Sequence, residues 1–226
     1  IMSSQKKFIN KISNILKFYF LPLLSGVLIG TSYIPFPPWA VIFCLTPLWW
    51  FSLYKAETLT QIFLGGWLTQ FVFNLIGFHW IAHTVHEFGQ MPWPVSILLL
   101  LVFASLAHLH VPFSIVVARW LAKSRSLTGE KYLWTFPLSF FIFETLFPMM
   151  FPWNLGYTLL WAKIPIFQWA DIVGFEGLSL LILLMNAWLM ALVLRYKSNS
   201  DLNKTIVLGL VSVVLFLGLL FGGKQY

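Results

Sequence analysis

Seven apolar stretches, bounded by charges, prolines and glycines, run through this chain at 15–34, 39–54, 61–82, 93–121, 132–150, 165–194 and 205–222. A helix needs about 20 such residues, at 1.5 Å rise, to cross roughly 30 Å of hydrocarbon. Only 9% of the 226 residues are charged, against roughly 25% in an average soluble domain, which excludes an ordinary soluble protein. Disorder is excluded as well, because 59% of the residues are hydrophobic and the mean hydropathy is +0.84. The expected fold is all-α, a polytopic transmembrane bundle of about seven spans over 15–222, preceded by a basic segment at 1–14. The second stretch is short and follows Pro35, Pro37 and Pro38, so the first two spans are expected to form a tight helical hairpin.

A net charge of +7 on a soluble chain would suggest nucleic acid as partner. Its placement points to the bilayer instead, and no nucleic-acid partner is expected. With the N-terminus in the cytoplasm, the inner segments hold Lys6, Lys7, Lys11, Lys17, Lys55, Arg119, Lys123, Arg125, Lys131, Arg195, Lys197 and Lys204. The outer segments hold only Lys163 and Lys224. Cations resist translocation during insertion, so this bias supports both the span count and a cytoplasmic N-terminus. The basic start is not expected to be a signal peptide, because six further apolar stretches follow it without a small-residue cleavage site. Gly26 with Gly30, and Gly218 with Gly222, have the spacing of close helix contacts. No internal repeat or inverted half is evident.

Ionisable groups at membrane depth are functional candidates. Glu144 falls in the fifth stretch and Glu176 in the sixth, both toward the outer face together with His79, His83, His86, Glu87 and Asp171. Either they serve a site or they fix packing as hydrogen-bonded groups. The i, i+4, i+7 spacing of His79, His83 and His86 would suit a metal or haem, yet the stretch runs into a loop, so solvated histidines without metal are expected. His108 and His110 are not expected to share a face at their spacing; His108, near mid-membrane, is expected to hydrogen-bond a neighbouring helix. Cys44 is the single cysteine, which excludes a disulfide framework, and its apolar context marks it as a core residue. The GxxxxGK pattern at 218–224 lacks the strand and the Ser or Thr of a phosphate loop.

Between the fifth and sixth stretches lies FPWNLGY, residues 151–157, on the outer side. Aromatic rings at headgroup level often serve only as anchors. With Pro152 restricting the backbone and Gly156 permitting a close turn, the alternative expectation is that Trp153 and Tyr157 are held on a shaped surface able to cradle an acyl chain or a lipid headgroup.

At this loop the sequence resembles the membrane domain of the bacterial apolipoprotein N-acyltransferase family. Four stretches carry the likeness in the family's order. They are GTSYIPFPPW at 30–39 with TPL at 46–48, residues 65–80 leading into FGQMP at 88–92, Glu144 with FPW and GY at 151–157, and VGFEGLS at 173–179 followed by Asn186. The resemblance implies a multi-pass protein of the bacterial inner membrane whose functional face is periplasmic. It implies an enzyme, without cofactor, that moves an acyl chain from a phospholipid to the α-amine of a lipid-modified N-terminal cysteine on an apolipoprotein. The family's chemistry resides in a nitrilase-like domain with a Glu-Lys-Cys triad that forms a thioester. No position here matches that triad, so no catalytic residue is assigned; residues 223–226 stand where that domain would begin, and the chain reads as a fragment. By the resemblance, Trp80, Phe88, Trp153 and Tyr157 contact lipid, while His79, Glu144 and Glu176 order the bundle or its polar pocket. One departure is Phe147-Pro148, where the family carries an Arg-Gly pair after the glutamate. Two other classes remain open: a non-enzymatic scaffold or lipid-binding subunit that pairs with a separate hydrolase chain, and a transporter or haem protein using the histidine cluster.

Overall fold

The computed structural model describes residues 2–124, 130–149, 154–161 and 165–197, with isolated positions between 203 and 218. The described residues form helices and turns, with no strand. The helices are α1 (Met2–Phe18), α2 (Phe20–Gly30), α3 (Thr46–Tyr54), α4 (Leu59–Gly77), α5 (Trp80–Glu87), α6 (Trp93–Leu106), α7 (His110–Ser124), α8 (Glu130–Leu133), α9 (Thr135–Leu146), α10 (Tyr157–Trp161) and α11 (Ala170–Lys197). The all-α membrane class expected from hydropathy is therefore the observed one.

The spans are more broken than the apolar runs suggest. By length and composition, three helical segments can cross a membrane: Leu59–Gly77, Trp93–Ser124 and Pro165–Tyr196. The first stretch bends by 60° between Asn10–Phe18 and Phe20–Gly30, and counts as a fourth span if the bent pair is taken together. Helix α9 is apolar but only 12 residues long. In the second stretch only α3 is a regular helix, and its nine residues reach about 13 Å. The expected two-helix hairpin is thus a helix followed by a run of turns at 31–45 and a short helix. The seventh stretch lies largely outside the described residues.

Turns at membrane depth survive only where protein satisfies their backbone groups. Asn186, on α11, does much of this for 31–45: its Oδ1 accepts from the Leu45 N–H at 2.8 Å and its Nδ2 donates to Val41 O at 2.9 Å. The Ala40 N–H donates to Ser32 Oγ at 2.9 Å, and the Ser25 hydroxyl donates to the Cys44 carbonyl. This segment and α3 together supply the core, with Ala40, Cys44, Leu45, Leu48, Trp49 and Phe51 all buried. Trp49 stacks on Phe136 of α9 at 5.4 Å between centroids.

Helix α4 is the central post. Its N-terminus carries a capping box in which Thr58 Oγ1 accepts from the Gln61 N–H and the Gln61 side chain reaches back. Glycines on α2 and on α4 itself admit two close neighbours. A Cβ on Gly26 would stand 2.6 Å from the Thr69 carbonyl of α4, and one on Gly30 would stand 2.7 Å from Ile76 Cβ. The first glycine pair does make the close contact its spacing implies. On the other side, a Cβ on Gly66 would meet Pro112 of α7 at 2.7 Å.

Gly26→Val is expected to push α2 off α4 and destabilise the bundle by about 1–3 kcal/mol, as overpacking does. Thermal unfolding in detergent, compared with a conservative exchange at exposed Val27, measures it.

Candidate functional site

The polar side chains of the fifth and sixth stretches converge on one turn, residues 154–156, ahead of α10. Glu144 is 5% exposed, near the end of α9, and its Oε1 accepts from the Leu155 N–H at 2.7 Å. Ser179, on α11, accepts from the Gly156 N–H at 2.8 Å, and its hydroxyl also interacts with Glu144. Tyr33, from the turns after α2, donates to the Asn154 carbonyl at 3.4 Å. Thr158 closes the turn by donating to the Leu155 carbonyl at 2.8 Å. Each backbone group is thereby paired by a different part of the chain, in a place where leaving it unpaired costs several kcal/mol.

Gly156 is required there by space: any Cβ would collide with the Phe175 carbonyl of α11. The close approach lets Tyr157 stack on Phe175, at 4.2 Å between centroids and 20° between planes. Just before Phe175, Gly174 has φ +71°, where a side chain would be strained, and it kinks α11 at that level.

Beneath the turn, Tyr33, Phe73, His108, His110, Glu144 and Leu155 border a cavity of about 20 Å³. That is room for one water molecule. Both ring nitrogens of His108 and Nδ1 of His110 are buried without a hydrogen-bond partner among the described residues. This corrects two expectations. His108 does not hydrogen-bond a neighbouring helix; it packs against Phe73 and Phe78 at 5.0 and 5.3 Å. The two imidazoles do come together, 5.6 Å apart, because turn 107–109 interrupts the helix on which the face argument relied. The carbonyls freed by that interruption are met from α4, where Asn74 donates to Ala104 O at 3.1 Å and Gln70 to Ser105 O at 2.8 Å.

The remaining candidates are dispersed. Glu176 is exposed beside Gly174. His79 is exposed, its Nδ1 at 2.8 Å from Ile76 O. Trp80 is 38% exposed and Phe88 85% exposed, at the two ends of α5, which packs on α6. His86 stacks on Trp93 at 4.2 Å and sits at 2.7 Å from Met91 O, and His83 lies against the same Trp93 ring at 6.3 Å, while His79 bonds back to Ile76. Trp153 lies outside the described residues. Phe147, at the place of the family's arginine, stacks on Phe113 at 5.8 Å. Tyr33, Phe175 and Ser179 lie within the stretches that carry the resemblance but have no role assigned from sequence; the signal available for Phe175 was its place beside Gly174, and nothing in the sequence pairs Tyr33 or Ser179 with the turn.

The family model for the apolipoprotein N-acyltransferase N-terminal domain matches residues 25–188. The chain belongs to that family. It is 52% identical over 167 residues to the apolipoprotein N-acyltransferase of Bdellovibrio bacteriovorus, covering 74% of this chain and 30% of the relative. The enzyme of Geobacter metallireducens is 29% identical over 220 residues, covering 92% of the chain and 40% of the relative. Apolipoprotein N-acyltransferase 2 of Leptospira interrogans is 31% identical over 137 residues, or 61% and 22%. The chain thus spans less than half the length of these curated relatives. Of the four stretches that carry the resemblance, three supply groups to the turn and the second packs behind it. Tyr33 comes from the first, and Phe73 with Phe78, which pack on Tyr33 at 5.1 and 5.5 Å, from the second. The third gives Glu144, Gly156 and Tyr157, and the fourth gives Phe175 and Ser179.

Replacing Glu144 tests the turn's support. Glu144→Leu orphans the Leu155 N–H and is expected to cost about 1–3 kcal/mol, whereas Glu144→Gln keeps an acceptor and loses less. Thermal unfolding of the two variants in the same detergent orders them.

Proposed function

We propose that this chain is the membrane portion of an enzyme that transfers an acyl chain from a phospholipid to the α-amine of the diacylglyceryl-cysteine at a lipoprotein's N-terminus. The protein resides in the bacterial inner membrane with its functional face toward the periplasm. By the family resemblance, acyl transfer itself is the work of a nitrilase-like portion with a Glu-Lys-Cys triad, to which no position of this chain is matched. The membrane portion holds the phospholipid donor at the outer leaflet beside that catalytic portion, where the apolipoprotein acceptor also enters.

The observation that carries this reading is the pinned turn. A loop whose amides are fixed by Glu144 and Ser179 presents Tyr157, already stacked on Phe175, as a rigid aromatic surface. An aromatic body with a polar hydroxyl suits the boundary between acyl chains and headgroups. Trp153, next to this turn in sequence, and the exposed Trp80 and Phe88 extend the lipid-contacting role. Glu144 orders the turn and does not enter the chemistry. The charge bias along the sequence supports the orientation, since the turn lies in an outer segment under the positive-inside rule.

In a longer family member that carries both portions, Trp153→Ala with Tyr157→Ala is expected to lower acyl transfer about tenfold. That matches loss of an aromatic contact worth about 1.5 kcal/mol. The loss should appear as a raised KM for phospholipid, with Tyr157→Phe close to wild type. Unchanged transfer in the double variant would remove the lipid-holding role.

A further inference from the structure

The other end of the bundle holds a second cavity, of about 850 Å³, bordered among others by Glu57, Thr58, Arg119, Trp120, Lys123 and Tyr132. It lies far from the pinned turn. Along α7, Lys123 is about 20 Å from His110, which borders the small cavity beneath that turn. Its size suits a small headgroup, for which binding cavities run from about 300 to 1,000 Å³.

Arg119 and Lys123 are one turn apart on α7, so their side chains emerge on the same face. Arg119 is already oriented. Its Nη1 donates to the Tyr132 hydroxyl at 3.0 Å and its guanidinium lies over the Tyr132 ring at 5.3 Å from the centroid. This arrangement occupies one donor and leaves the others of the guanidinium fork for an anion. Among the described residues no carboxylate forms an ion pair with Arg119 or Lys123. Trp120 is 57% exposed beside them, a position typical of an indole at headgroup depth. Across the cavity, Glu57 contributes a carboxylate, and its own backbone N–H is held by Gln61 Oε1 at 2.8 Å at the mouth of α4. Leu59 and Ile62 supply an apolar wall.

We propose that this cavity seats the headgroup of a cytoplasmic-leaflet phospholipid of the phosphoethanolamine type. The phosphate rests on Arg119 and Lys123, and the ammonium faces Glu57. Two cations and one carboxylate on a single lining match a zwitterion better than a simple anion, for which Glu57 would be repulsive. Trp120, Leu59 and Ile62 receive the glycerol and the first acyl carbons. The site is distinct from the acyl-donor role of the opposite face, and its assignment to the cytoplasmic leaflet follows from the basic residues at this end.

Native mass spectrometry of the full chain, titrated with phosphatidylethanolamine, with phosphatidylglycerol of the same acyl chains, and with inorganic phosphate, tests this. The wild type is expected to retain phosphatidylethanolamine best, and Arg119→Gln with Lys123→Gln to lower that retention about tenfold, the scale of losing a charge-assisted pair. Glu57→Gln should abolish the preference over phosphatidylglycerol, while Arg119→Lys keeps most of the retention. Lys123 is exposed, so Lys123→Gln alone reports the same loss in part if Arg119 variants fail to fold. Equal retention of both lipids by the wild type, unchanged retention in the Gln variants, or displacement of lipid by inorganic phosphate would each overturn the proposal.

Discussion

A peptide group buried away from water must find its partner within the protein, and this chain breaks its helices repeatedly inside the bundle. The breaks fall at 31–45, at 107–109, and at the 154–156 turn that follows α9. Each is answered by side chains from another helix. Asn186 serves the first, Gln70 and Asn74 the second, and Glu144 with Ser179 the third. Many of the buried polar side chains among the described residues are therefore partners of interrupted backbone. They keep a set of short, bent helices in one arrangement where a set of straight spans would need only close apolar packing.

The consequence for function lies in where the interruptions occur. A continuous helical hairpin between α9 and α11 would leave only a solvated loop at the surface. The Glu144 and Ser179 bonds draw that loop against α11, and the absence of a side chain at Gly156 lets it touch the Phe175 carbonyl. Tyr157 is then fixed by stacking on Phe175. Residues distant in sequence, from Tyr33 to Ser179, thereby bond to one short turn.

Much of this was legible in the chain itself. Charge content and apolar runs give the helical membrane class, and the spacing of Gly26 and Gly30 gives the close approach of α2 to α4. Hydropathy does not report helix breaks, because a buried turn is as apolar as a buried helix. The stretch 39–54 therefore reads as a span although only Thr46–Tyr54 is regular. The same blindness misplaced His108 and His110, since the rule separating i from i+2 holds only on an uninterrupted helix. Glu144 was visible as a carboxylate in an apolar run, but its partner, a backbone amide 11 residues away, was not. Sequence shows which side chains are polar; it does not show which peptide groups lack a mate.

The claim that polar side chains serve broken backbone is tested most directly by amide hydrogen exchange at Leu155 and Gly156 in the detergent-solubilised chain. The account predicts exchange as slow as that of neighbouring helical amides, although these two residues lie in a turn. Exchange at the rate of an open, solvated loop would contradict it.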